Sequence, residues 1–343
     1  MPNAKTTQKR KGEHVDVVLR KDVQYEFGSN LDSVRFEHYA LPDFDIGATR
    51  VSREFLGRKL ALPFIVAAMT GGYSEAKKIN TELALACEEK GCAFGLGSQR
   101  AMIEDPSLAS TYCVKKEAPG VFLCGNLGAY QLAQYHKAGQ LSKVEAALEK
   151  VEADALCVHL NALQECTQPE GDRNWSGTAA AIKAACEKIS VPIIAKETGA
   201  GISGKVAVEL ERLGVKAIDV SGAGGTSWSA VELERTKDRK DSLPEFRNWG
   251  LPTKDALEQC SKATHLPLIA TGGIRSGLDV AKAIRLGATL GGAAYPFLMA
   301  QQDGGQRAAA LEISRWERGL RTALFLCGCK NLEELAGARL LTQ

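Results

Sequence analysis

The sequence predicts a (β/α)8 barrel, carrying an N-terminal extension over residues 1–60 and a long insertion after the sixth strand. Three observations lead there. Eight short apolar runs recur along the chain, continuous rather than alternating, as strands buried on both faces should be. Amphipathic stretches such as "EAKKINTELALACEEKG" and "LDVAKAIRLGA" separate them, several ending in Gly, a helix-stop signal. Polar and Gly-rich residues cluster at the carboxyl end of every run, the end at which barrels build their active sites. An open doubly wound sheet is the alternative arrangement of such units.

In order, the strands fall near residues 63–68 "PFIVAA", 92–97 "CAFGLG", 120–125 "GVFLCG" and 155–160 "ALCVHL". They continue near 192–197 "PIIAKE", 217–222 "AIDVSG", 267–272 "PLIATG" and 289–294 "TLGGAA". Residues 61–343 read as one barrel domain. The polar stretch 228–255 after the sixth strand reads as a lid-like loop or a loose surface loop. The tail "LEISRWERGLRTALFLCGCKNLEELAGARLL" reads as amphipathic helices closing the bottom or side of the barrel, part of it available to a subunit interface.

Composition narrows the class. The 343 residues carry a formal net charge of +2, which gives no global field for nucleic acid or an anionic membrane. Hydrophobic residues make up 45%, enough for a large core and against disorder. Ten cysteines include no C-x-x-C knuckle, so they read as reduced thiols of a cytoplasmic protein rather than a zinc site or disulfide framework. The N-terminus lacks the apolar core of a secretory signal. The most apolar stretch, residues 60–69, falls far short of the ~20 residues a membrane helix needs.

The strand ends carry the chemistry. "TGGIRSG" (271–277), "GGAAYP" (291–296) and "SGAGGTSW" (221–228) place small residues where backbone must approach a ligand closely. Loops after the last two barrel strands often hold phosphate on backbone N–H groups and a helix N-terminus. Lys196 ends the fifth strand. A Lys there can form a Schiff base, hold phosphate, or sit as a cation beside a flavin ring that becomes anionic when reduced. An ion pair with Glu197 or another loop carboxylate is the plainer alternative. Thr70, Ser98 and Asn126 end the first three strands and offer neutral hydrogen bonds suited to a ring edge, or simply turn and cap chemistry. "HLNALQE" (159–165) ends the fourth strand. Its Asn161 and Gln164 have the spacing of a capping box, yet Pro169 leaves that helix little more than a turn. On strand spacing His159 and Asn161 share a face.

In one order along the chain, "AMTGG", "GSQR", "HLNALQE", "QPEGDRN", "KETGAGIS", "DVSGAGGTSW" and "GGIRSGLD", with "QKRKGEH" before them, closely resemble the type 2 isopentenyl diphosphate isomerases. The resemblance runs from about Lys9 to the C-terminal helix. "HLNALQE…QPEGDR" is its specific part, because Gly loops are common among FMN barrels. It implies interconversion of isopentenyl and dimethylallyl diphosphate in isoprenoid synthesis, with reduced FMN as acid/base, Mg2+ on the diphosphate, NAD(P)H as reductant, and a homo-oligomer (tetramer or octamer).

Carried onto this sequence, the resemblance implies flavin contacts from Ala68, Met69, Thr70, Ser98, Asn126, Lys196, Ser221 and Thr226. It implies phosphate contacts from Gly272, Gly273, Ile274 and Arg275, and from Ala294 and Tyr295. Substrate contacts fall to Arg10, Lys11, His14, Ser98, Arg100, His159, Asn161 and Gln164. Glu165 would carry Mg2+, which is commonly held by one or two carboxylates plus substrate oxygens. Gln164 and Lys196 are the catalytic candidates, Gln164 orienting the substrate and Lys196 holding negative charge on the flavin. On charge alone "RKGEH" reads as a solvated basic tail. The resemblance makes it an arm that closes over substrate.

The nearest competing reading is an FMN-dependent 2-hydroxy-acid oxidase or dehydrogenase, which needs a His base and carboxylate-binding Arg that "SGAGGTSW" lacks. A nucleotide-type dehydrogenase would need a Cys nucleophile, for which Cys166 is the nearest candidate. A non-catalytic flavin- or RNA-binding protein would show salt-sensitive nucleic-acid affinity. No G-x-G-x-x-G fingerprint marks a second dinucleotide domain.

Overall fold

The computed structural model describes residues 4–236 and 242–341, with side chains from Lys11 onward. Among the described residues, ten strands form two sheets. A two-stranded antiparallel hairpin, β1 (Arg53–Phe55) and β2 (Arg58–Leu60), precedes the barrel. The barrel strands are β3 (Phe64–Val66), β4 (Ala93–Gly95), β5 (Phe122–Gly128), β6 (Ala155–Leu160), β7 (Ile193–Glu197), β8 (Ala217–Asp219), β9 (Leu268–Ala270) and β10 (Leu290–Ala293). They are all parallel and close in chain order, β10 pairing with β3. All eight apolar runs are therefore strands. Most are buried along their whole length, which is why they read as continuous apolar runs.

Helix α1 (Ala4–Arg20) precedes the strands, and α2 (Ser74–Lys90), α3 (Arg100–Glu104), α4 (Ala129–Lys137), α5 (Leu141–Val151), α6 (Ala162–Thr167) and α7 (Thr178–Lys188) follow. They continue with α8 (Gly204–Leu213), α9 (Trp228–Arg235), α10 (Thr253–Ala263), α11 (Gly277–Arg285), α12 (Tyr295–Leu326) and α13 (Leu332–Ala336). α12 bends at Gly304–Gly305, where Gly305 takes φ +63°, a region a side chain disfavours.

Of the two places expected for the C-terminal tail, the side is the one taken: α12 packs along the barrel's flank, against α2 and α11. The bottom is plugged by the hairpin, whose Phe55 and Leu60 join the interior cluster of Ile65, Phe122, Ile194 and Leu290. Phe55 meets Phe122 edge-on at 5.6 Å between ring centroids, a preferred aromatic geometry. One expectation needs correction: the stretch 228–255 is not a loop throughout. Ser227 caps α9 by accepting from the Ala230 N–H, and Ala230, Val231 and Glu232 are buried under α1. Residues 237–241 lie outside the described residues.

Candidate active site

Parallel register sets the site's floor. β5 and β6 place Gly128 beside His159, β6 and β7 place His159 beside Lys196, and β7 and β8 place Lys196 beside Asp219. His159 Nδ1 faces Asn126 Oδ1 at 2.7 Å. Burial, and then the charges of Lys196 and Lys11, push the His159 pKa down to about 3, so the ring is neutral at physiological pH. A neutral ring that meets an amide oxygen through Nδ1 carries its proton there.

Lys196 donates to the Glu197 carbonyl at 2.7 Å and to Ser221 Oγ at 2.9 Å, and lies 3.4 Å from Asp219 Oδ2. Its ion-pair partner is thus Asp219 and not the Glu197 carboxylate. The latter turns back to accept backbone N–H groups of Thr198, Gly199 and Ala200. Burial raises the Glu197 pKa to about 7 against those donors.

The "HLNALQE" stretch folds as the end of β6 followed by the six-residue α6. Asn161 sits at the N-cap but makes no side-chain cap, so the capping-box reading fails. Its Nδ2 instead donates to Gln164 Oε1 (3.2 Å) and Glu165 Oε1 (3.0 Å). Its Oδ1 is buried with no hydrogen-bond partner, a cost that a bound donor would remove. Glu165 Oε2 accepts from the Asp172 N–H at 2.8 Å. A Cβ at Gly171 would fall 1.9 Å from the Glu165 carbonyl oxygen, so only glycine lets "PEGDR" fold back over that carboxylate.

The basic arm is helix α1, laid across the mouth. Lys11 Nζ donates to the Ser98 carbonyl and to the Tyr112 hydroxyl, each at 2.8 Å. His14 meets Glu232 Oε1 at 3.0 Å and the Trp228 ring edge-on. Gln164 Nε2 donates to the same Glu232 oxygen at 3.0 Å. Arg100 pairs with Glu104 at 2.8 Å, with Asp172 4.0 Å away. The Arg10 side chain lies outside the described residues.

The opposite side is lined by glycines. A Cβ on Gly272 would sit 1.9 Å from the Gly222 carbonyl oxygen, and one on Gly225 2.7 Å from the Gly273 nitrogen, so the loops after β8 and β9 touch backbone to backbone. Ser276 caps α11 from within. Ala294 makes no such cap for α12, and because Pro296 has no N–H, the N–H groups of Tyr295 and Phe297 are those the first turn can offer an anion. Thr70 Oγ1 is buried without a hydrogen-bond partner. Arg275 donates to Gln24 Oε1 at 2.6 Å and stacks over Tyr295 at 5.6 Å. A glycine cradle beside an uncapped helix, an unpartnered hydroxyl and a buried Lys fit the phosphate and ring edge of FMN.

All the remaining sequence-predicted residues line this one cavity of about 260 Å3: Lys11, His14, Arg100, His159, Asn161, Gln164 and Glu165 on one side, with Ala68, Met69, Thr70, Ser98, Asn126 and Lys196 below. Ser221, Thr226, Gly272, Gly273, Arg275, Ala294 and Tyr295 complete it. Ile274 is fully buried and reaches it only through its loop. Sequence reasoning missed Gln131, Gln168, Trp228 and Thr271, which also line it, and Glu232 behind them. Trp228 and Glu232 stand four apart, the spacing of one helical face, but the stretch read as a loop. Among the described residues no three His, Cys, Asp or Glu side chains gather as a metal centre. Cys166 is exposed and outside the cavity lining.

Residues 133–342 match the family model described as FMN-dependent dehydrogenase. Over 337 residues the chain is 46% identical to an isopentenyl-diphosphate delta-isomerase of Archaeoglobus fulgidus, covering 97% of this chain and 95% of that one. The chain belongs to the isopentenyl-diphosphate delta-isomerase family. A Synechocystis member of that family is 46% identical over 335 residues, covering 96% and 95%. This family member is accordingly an isomerase, built on an FMN-dependent type of barrel. Solved structures share the fold at low identity. A lactate oxidase of Pediococcus acidilactici superposes with a TM-score of 0.69 at 17% identity, covering 100% of this chain and 95% of that one. A mandelate oxidase variant gives 0.68 at 17%, covering 99% and 97%. Among the described residues no helix is long and apolar enough to cross a membrane.

Proposed function

We propose that the chain interconverts isopentenyl and dimethylallyl diphosphate, with reduced FMN and Mg2+ bound in this cavity and NAD(P)H as reductant. The observation that carries the reading is a division of the cavity. Gly272, Gly273 and Lys196 line one part, and Lys11, His159, Asn161 and Glu165 line the other.

In this reading FMN would rest on the Gly272–Gly273 loop, the N-terminus of α12, Thr70 and Lys196. It would supply exchangeable protons and an electron-rich face for a cationic transition state. Mg2+ would be held by Glu165 together with substrate oxygens, a sparse set suited to an ion that keeps several waters. Lys11 and Arg100 supply positive charge against the diphosphate. His159 adds a donor once protonated at Nε2, and the Asn161 amide is adjacent. Gln164, fixed by Glu232, orients the allylic carbons; an amide is too weak an acid or base to move the proton unaided. Helix α1 and Trp228 roof the cavity and keep water from the reacting carbons.

A 2-hydroxy-acid oxidase on the same fold would need a base and a carboxylate clamp near the flavin. The loop Ser221–Trp228 supplies neither His nor Arg. The decisive experiment reduces the flavin-loaded protein anaerobically and adds isopentenyl diphosphate with Mg2+. Dimethylallyl diphosphate should accumulate to an equilibrium mixture. Its absence under reducing conditions sinks the proposal.

A further inference from the structure

We propose that Asp219 is a positioning residue whose carboxylate offsets the Lys196 charge and thereby sets how strongly the site favours reduced over oxidised flavin. The proposal rests on the reading of Lys196 as the cation beside the flavin.

The strand register places Asp219 beside Lys196, and the two approach to 3.4 Å. A lysine ammonium has three N–H donors. The Glu197 carbonyl and Ser221 Oγ engage two of them at 2.7 and 2.9 Å, and Asp219 Oδ2 faces the third. The carboxylate cannot swing away, because its Oδ1 accepts from the Ser221 N–H at 3.1 Å and from Thr271 Oγ1 at 2.7 Å. Ser221 is bound into the same network at φ +41°, an uncommon conformation for a non-glycine residue and one held only by surroundings that over-determine it.

Aim and charge are therefore separable at this site. The carbonyl and the hydroxyl suffice to direct Lys196 into the cavity. The carboxylate adds a full negative charge, and it does so where Asp219 is 3% and Lys196 8% exposed, so the charge is weakly screened. Reduction gives the flavin ring negative charge. A bare Lys196 would stabilise that charge strongly; a Lys196–Asp219 pair of zero net charge does so less. A site that must accept and return a proton in every cycle is served by a cofactor whose anion is not over-stabilised.

Asp219→Asn tests this, because it keeps the Oδ1 acceptor and the side-chain shape while removing the charge and replacing the Oδ2 acceptor with an amide NH2. The readout is the two-electron midpoint potential of bound FMN, measured spectroscopically against a reference dye. Asp219→Asn should bind reduced FMN at least about tenfold more tightly relative to oxidised FMN, which is an upward shift of about 30 mV or more. Lys196→Met should shift the midpoint downward. An unmoved midpoint in folded, flavin-loaded Asp219→Asn, beside a lowered one in Lys196→Met, overturns the role of Asp219 and leaves the flavin reading standing. If Lys196→Met also leaves the midpoint unmoved, the flavin reading falls and the proposal with it. Should the Asn variant not fold, Asp219→Ser removes the same charge and is read the same way.

Discussion

His14 Nε2 lies 3.0 Å from Glu232 Oε1. These residues come from the N-terminal helix and from the insertion after β8, and their contact joins the two segments over the mouth of the barrel. Glu232 is fully buried and also takes hydrogen bonds from Gln164 and Arg235. Removing one partner of such a buried cluster leaves the others uncompensated, at a cost of about 3–5 kcal/mol. Glu232→Ala should therefore release α1. Hydrogen exchange across residues 4–20 should speed up while the barrel strands stay protected, and KM for the diphosphate should rise. Burial alone would raise the Glu232 pKa, but the hydrogen bond and charge of His14, with Arg235 and Gln164, bring it down to about 2. A depressed carboxylate stabilises the fold above its ordinary value near 4.5 and loses that contribution as pH falls toward 2. Protection of α1 should persist through mildly acidic solution and fade only in that window.

Gly272 tests the flavin cradle. Its φ is +99°, and a Cβ there would collide with the Gly222 carbonyl at 1.9 Å. Gly272→Ala forces apart the loops after β8 and β9, where the phosphate of FMN would sit. The purified variant should lose its yellow colour, and fluorescence titration should give FMN affinity weaker by about tenfold or more, equivalent to at least ~1.4 kcal/mol. Equal flavin content in variant and parent would remove this loop from the phosphate site.

Glu165 is held at both oxygens, by Asn161 Nδ2 and the Asp172 N–H. Glu165→Gln keeps its size but offers one acceptor where the carboxylate offered two, so it should cost about 1–3 kcal/mol of stability and still fold. A neutral amide oxygen is a poor ligand for Mg2+. The Mg2+ concentration giving half-maximal rate should rise about tenfold or more, equivalent to at least ~1.4 kcal/mol, with FMN content unchanged. An unaltered metal titration would move the ion elsewhere.

What the sequence made legible follows from burial. Barrel strands buried on both faces read as unbroken apolar runs, and their carboxyl ends then fix Asn126, His159 and Lys196 at one mouth without any tertiary knowledge. The pieces that were not legible depend on docking. Helix α1 reads as a charge run because its order comes from Lys11 and His14 reaching across to Tyr112 and Glu232. Helix α9 hides in a polar stretch because its buried face includes Glu232, a residue whose burial depends on partners far away in sequence. The Lys196–Asp219 pair needed the register of β7 and β8. The hairpin that plugs the barrel offers only Phe55, Leu56 and Leu60 among charged residues, too short an apolar pattern to announce itself.

His159 should couple substrate binding to proton uptake. In the free protein burial, Lys196 and Lys11 hold its pKa near 3, against an ordinary value of 6.5. As pH falls below 6.5 the unfolded chain takes up this proton and the folded chain does not. The free protein therefore loses stability from this group between 6.5 and about 3, and none above 6.5. A diphosphate beside the ring reverses the electrostatic part of that balance, because its negative charge favours the imidazolium. With Nδ1 turned to Asn126 Oδ1, the added proton goes to Nε2. Binding should thus raise the His159 pKa and take up a fraction of a proton as pH falls below its ordinary value of 6.5, and affinity should rise as pH falls, by at most about tenfold per unit. Calorimetric titration of inorganic pyrophosphate in buffers of different ionisation heat counts every proton exchanged, pyrophosphate's own included, so the difference between the parent and His159→Asn gives the share of His159. His159→Asn should lower the uptake and flatten the pH dependence. Equal proton counts in the two proteins would mean that His159 meets the diphosphate as a neutral ring or not at all.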